Sequence, residues 1–144
     1  MKILKQINFL KFIPHKFPFL FIDQVTHFKK KYYLFSKFKV KSNNIFFLGH
    51  FPKNPIFPGV LLLESMMQSA GIFCKISYPN IFKKKINYLT SIKHAKFRKL
   101  VFPNDILNIK IFFINFHNNF FKFSGVILID KILVCEAIIT IYIK

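Results

Sequence analysis

The chain has 144 residues, 53% of them hydrophobic, which is enough to fill one core and too apolar for a disordered segment. Its formal net charge is +18, yet Arg98 is the only arginine, and no Cys/His metal spacing, helix-turn-helix pattern or arginine cluster points to nucleic acid. The Lys excess, beside a similar excess of Phe, Ile and Asn, reads as compositional bias carried on solvated faces, with any remainder a preference for acidic partners.

In chain order, residues 3–12 form a short amphipathic helix that ends before Pro14. Strand-like runs come next, from Pro18 to His27 and from Tyr32 to Val40, separated by the turn Lys29-Lys30-Lys31. A Pro/Gly loop leads into one long helix over residues 59 to about 76, with Pro58 at its start. That helix is apolar almost all round, so it should be buried. Strands are expected near 86–100, 105–116, 119–129 and 132–143, with Asn118-Asn119 and Asp130-Lys131 as hairpin turns. Two strands, a buried helix and four hairpin-linked strands make an α+β domain spanning 1–144, an antiparallel sheet wrapped around one long central helix.

Cys74 and Cys135 each lie in an apolar segment and read as free, buried thiols of a reducing compartment. No uncharged apolar run approaches the ~18 residues of a membrane helix, and the N-terminus lacks a clean signal-peptide core. The expectation is a cytoplasmic protein with no membrane and no nucleic-acid partner.

The segment from Gly49 to Gly59 breaks the habits of the rest, holding three of the seven prolines and two of the four glycines. It contains His50 and is followed by Glu64, one of only five acidic residues, in an apolar run. Surrounded by apolar groups, a carboxyl is poorly solvated as an anion and can act as a neutral acid; equally, a first-turn Glu is favoured by the helix dipole. Gln68, four residues on, shares its face and can hydrogen-bond it. A stiff loop can hold the His50 imidazole as a base, although lone loop histidines are more often structural. His15, His27, His94 and His117 are read as structural. Gly59, at the helix start, would let a carbonyl approach unpaired N–H groups. Base, acid and carbonyl-polarising donor are the parts needed to remove an α-proton and eliminate a β-hydroxyl.

The run Leu48-Gly49-His50-Phe51-Pro52, with Pro58-Gly59-Val60-Leu61, Glu64 and Gln68-Ser69-Ala70-Gly71, resembles the β-hydroxyacyl-acyl-carrier-protein dehydratases of bacterial fatty-acid synthesis. The likeness extends to Ile13-Pro14-His15-Lys16-Phe17-Pro18-Phe19-Leu20, Asp23, Ala95-Lys96-Phe97-Arg98 and Pro103-Asn104-Asp105. It implies a hotdog fold and a homodimer, with a trimer of dimers as the larger assembly open. It also implies sites in which the His50 of one protomer meets the Glu64 of its partner. The implied substrate is a (3R)-hydroxyacyl chain on the phosphopantetheine arm of acyl carrier protein, with neither cofactor nor metal bound to the enzyme. His50 would take the C2 proton, Glu64 would protonate the leaving hydroxyl, and the Gly59 N–H would polarise the thioester carbonyl. A related branch that also isomerises the double bond carries Asp at the Glu64 position, so Glu64 favours the plain dehydratase.

Lys53 stands where the family commonly has Gly; a left-handed backbone there would be strained by about 1–2 kcal/mol. Phe51 and Phe57 are candidates to line the acyl tunnel, with core packing as the alternative. Lys96, Arg98 and Lys99 are candidates to meet the acidic carrier protein, with ordinary outward-facing strand positions as the alternative. Two rival functions stay open: a hotdog thioesterase using Glu64 to direct water, and a non-catalytic acyl-carrier or nucleic-acid binding module.

Overall fold

The computed structural model describes residues 8–144. It contains six strands: β1 (Gln24–Lys29), β2 (Tyr33–Lys39), β3 (Asn87–Phe97), β4 (Ile106–His117), β5 (Phe120–Ile129) and β6 (Ile132–Ile143). Two helices, α1 (Gly59–Ser77) and the four-residue α2 (Pro79–Phe82), lie between β2 and β3. All pairings are antiparallel, and the strands run in the order β1-β2-β4-β5-β6-β3. Two short hairpins carry the chain through β4, β5 and β6. Asn118 and Asn119 (φ 48 and 65) make the first turn, Asp130 and Lys131 (φ 47 and 66) the second. Positive φ at both central residues is the primed turn that matches strand twist, and Asn and Asp tolerate it best.

In β2, β5 and the first half of β4 the sheet buries one face by alternation. Leu34, Ser36 and Phe38 of β2, Leu107, Ile109 and Ile111 of β4, and Phe121, Phe123 and Ile127 of β5 point inward. Against that face lies α1, in contact with strands β2 to β6. By length and composition alone α1 could cross a membrane. Fourteen of its nineteen residues are buried within the protein, as expected of a helix apolar all round at the centre of a domain. Ser36 and Ser69 satisfy each other across the helix–sheet contact at 2.8 Å.

Three expectations change. Residues 3–7 of the expected amphipathic helix lie outside the described residues, and its remainder is a single 3-10 turn, Phe9–Phe12. The first strand starts at Gln24, not Pro18. A tight turn closes with Phe19 N–H donating to the Lys16 carbonyl at 2.7 Å, and a side chain of α1 captures the next free backbone groups. The strand expected over 86–100 ends at Phe97.

Candidate active site

Two chain segments that flank Pro58 carry the expected residues. The first is the loop after the 3-10 turn Ile45–Leu48. Within it, Phe51 and Asn54 exchange backbone hydrogen bonds at 3.1 Å, while the Ile56 N–H donates to the His50 carbonyl at 3.0 Å. The His50 ring closes the clamp, with Nδ1 2.7 Å from the Ile56 carbonyl oxygen. A carbonyl can only accept, so Nδ1 carries the proton, and the neutral ring keeps a bare lone pair on Nε2. His50 is half-buried, and the ring of Phe51 stacks on it at 4.2 Å and 24°. Lys53 does not adopt positive φ, so the strain expected of a side chain at a glycine position does not arise.

The second segment is the first two turns of α1. No side chain caps its start, so first-turn N–H groups are free of side-chain acceptors. Gly59 does not adopt positive φ; a Cβ there would lie 3.1 Å from the ring of Phe97 on β3, a tight contact that this half-exposed ring would have to ease by a small shift.

Glu64 lies one turn further along. The apolar surroundings expected for its carboxyl are replaced by polar neighbours at Oε1: Gln68 Nε2 donates to it at 3.0 Å, and His15 Nε2 lies 3.3 Å away. Gln68 is buried, and its amide orientation is fixed from behind. Its Oε1 accepts from the Phe21 N–H at 2.9 Å, and its Nε2 also donates to the Phe19 carbonyl at 3.1 Å. The nitrogen must therefore face Glu64.

The other acidic residues have structural duties. Asp23 Oδ2 accepts from the Lys39 N–H at 2.7 Å, and Asp105 Oδ2 from the Phe102 N–H at 2.8 Å. Asp130 forms a hairpin turn, and Glu136 is paired by Arg98 at 3.1 and 3.2 Å. Glu64 is thus the one acid on α1, with the side chains of Gln68 and His15 at its carboxyl. Within one chain His50 and Glu64 are not within 4 Å; the histidine–carboxylate pair at that distance among the described residues is His15–Glu64.

The remaining candidates divide. Phe51 is 48% exposed beside His50, whereas Phe57 is in the core against Phe21 and Phe38, with ring centroids at 6.1 and 6.0 Å. Lys96, Arg98 and Lys99 are exposed. Arg98 is not a free cation: its hydrogen bonds to Glu136 hold that carboxyl below the usual range, and Glu136 in turn raises the guanidinium. The contact of His15 with Glu64 was not legible in the sequence, because the two residues are 49 positions apart.

Comparisons with known proteins bear on the family and the fold. The FabA-like domain family matches residues 13–138. A 3-hydroxyacyl-acyl-carrier-protein dehydratase, FabZ of Actinobacillus pleuropneumoniae, is 36% identical over 136 residues, covering 94% of this chain and 88% of that protein. FabZ of Aliivibrio fischeri is 42% identical over 125 residues, covering 87% and 83%. Among solved structures, the dehydratase heterocomplex ApeI:P from Xenorhabdus doucetiae aligns with TM-score 0.78 at 15% identity, covering 94% of this chain and 90% of that one. A hypothetical thioesterase with coenzyme A from Streptococcus pneumoniae aligns at 0.62 and 16%, covering 84% of each. These two likenesses establish the hotdog architecture alone. The extent and identity of the sequence matches go further: the chain belongs to the FabA-like family, alongside the 3-hydroxyacyl-acyl-carrier-protein dehydratases.

Proposed function

We propose that this chain is a hydro-lyase that converts (3R)-hydroxyacyl chains, carried on acyl carrier protein, to trans-2-enoyl chains and water in fatty-acid synthesis. The observation that carries the reading is the His50 ring, whose Nδ1 is committed to Ile56 and whose Nε2 is left as a base. Nε2 takes the C2 proton; the electron pair of that C–H bond forms the C2–C3 double bond as the C3–O bond breaks. Glu64, entering as the neutral acid, gives its proton to the departing hydroxyl, which leaves as water. The uncapped N–H of Gly59 receives the negative charge that builds on the thioester oxygen. Both proton transfers use side chains of the chain itself, so the scheme calls on no bound cofactor.

The separation of His50 and Glu64 within one chain supports a site shared between two protomers. Two features fit a homodimer. β3 is an eleven-residue edge strand with its outer backbone groups unpaired, and an edge of that length invites a second copy. Leu48, Val60, Phe51 and Phe97, 80, 69, 48 and 51% exposed, leave apolar surface around His50 and Gly59 for a partner and an acyl chain to cover. Lys96, Arg98 and Lys99 line the same strand end and would attract an acidic carrier, Lys96 and Lys99 more than the paired Arg98. As such a lyase, the chain is assigned by this reading to the cytoplasm, alongside its carrier.

The test is incubation of a (3R)-hydroxybutyryl carrier-protein thioester with the wild-type, His50→Ala and Glu64→Gln proteins. The wild-type protein should form the conjugated enoyl thioester, and each variant should lose about 10²–10⁴-fold. Release of free acid would instead identify a thioesterase, and no turnover by folded protein a binding module.

A further inference from the structure

His15 is not used by the elimination scheme, yet it touches the acid. It lies in the irregular segment before β1, its ring stacked on Phe19 at 6.3 Å and 26°. Its Nε2 is 3.3 Å from Glu64 Oε1, and the two side chains are only 22 and 15% exposed. Its Nδ1 is enclosed with no hydrogen-bond partner. An imidazolium would need an acceptor at both nitrogens, and only Nε2 has one. Enclosing an unpaired, charged N–H is unfavourable, so the neutral ring with its proton on Nε2 is the form that fits. The bare Nδ1 then belongs to a residue lining a cavity of about 10 Å³, which Asn87 also lines with an unpartnered Oδ1.

Two nitrogens, the donating Gln68 Nε2 at 3.0 Å and His15 Nε2 at 3.3 Å, therefore crowd a single oxygen of Glu64, Oε1. An oxygen that already accepts one N–H group and has a second nitrogen at contact distance is a poor place for a further hydrogen, so the carboxyl proton belongs on Oε2. We propose that His15 is a positioning residue for the acid step: with Gln68 it pins Oε1, so that Oε2 carries the proton and delivers it to the leaving hydroxyl. This rests on the dehydratase reading, and extends it to the oxygen that donates and the histidine that selects it.

The test compares His15→Gln, whose terminal amide can still donate to Glu64, with His15→Leu, which fills similar space without a donor. His15→Leu should lower kcat about 10–100-fold with KM changed less than about twofold, because an acid aimed wrongly slows chemistry rather than binding. His15→Gln should restore kcat to within about threefold of wild type, with both variants melting at the same temperature. Equal loss in both variants, in step with a lower melting temperature, would reduce His15 to a structural role and overturn the proposal. An unchanged kcat in His15→Leu would do the same.

Nitrogen NMR of the imidazoles in wild-type protein supplies a readout independent of turnover. A proton on His15 Nε2 whose shift moves in Glu64→Gln supports the proposal, and a proton on Nδ1 overturns it. Should the wild-type protein fail to dehydrate, the acid step itself falls while the NMR result still decides the contact.

Discussion

Replacing Gln68 by Leu isolates the hydrogen bonds that hold the acid from behind. The side chain is 1% exposed, and Leu is nearly its length without the amide. The Phe21 N–H, in a residue that is 0% exposed, loses its acceptor, and a buried unpaired donor costs about 1–3 kcal/mol. The Phe19 carbonyl adds little, because Phe19 is 42% exposed and can turn to water. Taking about 2 kcal/mol, and an unfolding entropy of about 0.3 kcal/mol/K for a chain of this length, Tm should fall by about 7 °C. Glu64 also loses a donor, so kcat for dehydration should drop while KM holds. Thermal melts by circular dichroism, at one protomer concentration because an oligomer's Tm depends on it, are run beside turnover assays. A Gln68→Leu protein melting within about 1 °C of wild type, with full activity, would refute the reasoning.

The Arg98–Glu136 pair holds the carboxyl below its ordinary value of 4.5, so its stabilisation is present above that value and lost as pH falls through the lower folded one. Melts of Glu136→Gln and wild type should therefore differ at neutral pH and converge under more acid conditions. Burial pushes Cys135 up to about 12 and Cys74 well above its usual value, so neither thiol should react with a disulfide reagent at pH 8 until denaturant is added. Gly125→Ala would set a Cβ 2.7 Å from Met66 Sδ and 3.2 Å from Ile111 Cδ1, and should cost about 1–2 kcal/mol in a urea titration. Lys96→Glu with Lys99→Glu should raise KM for the carrier-protein substrate at low salt, with the difference shrinking at high salt, while leaving kcat unchanged.

Local features were the ones legible in the sequence. The turns at Asn118-Asn119 and Asp130-Lys131 could be read because a two-residue hairpin needs positive φ, which Asn and Asp accept. The four-residue spacing of Glu64 and Gln68 on one helix face likewise gave their contact directly. Contacts between distant segments were missed. The first strand begins late because Gln68 takes the Phe19 and Phe21 backbone groups, a substitution of side chain for ladder that no periodicity reveals. The His15–Glu64 contact is of the same kind; the commitment of His50 Nδ1 to Ile56 is local, and depends on how the loop folds back on itself. The concern over Lys53 came from a family habit of glycine, and the backbone resolves it by avoiding the left-handed region.

Mixing inactive subunits tests most directly whether His50 and Glu64 act together across a dimer. His50→Ala and Glu64→Gln chains carrying different tags would be co-expressed, and the doubly tagged dimer purified and assayed for dehydration. In such a dimer one site carries both substitutions and the other neither, so about half the wild-type activity per dimer should return, although each parent protein is inactive. A mixed dimer as inactive as its parents would contradict the account, because it would mean that both residues act within one chain or that one of them does not act at all.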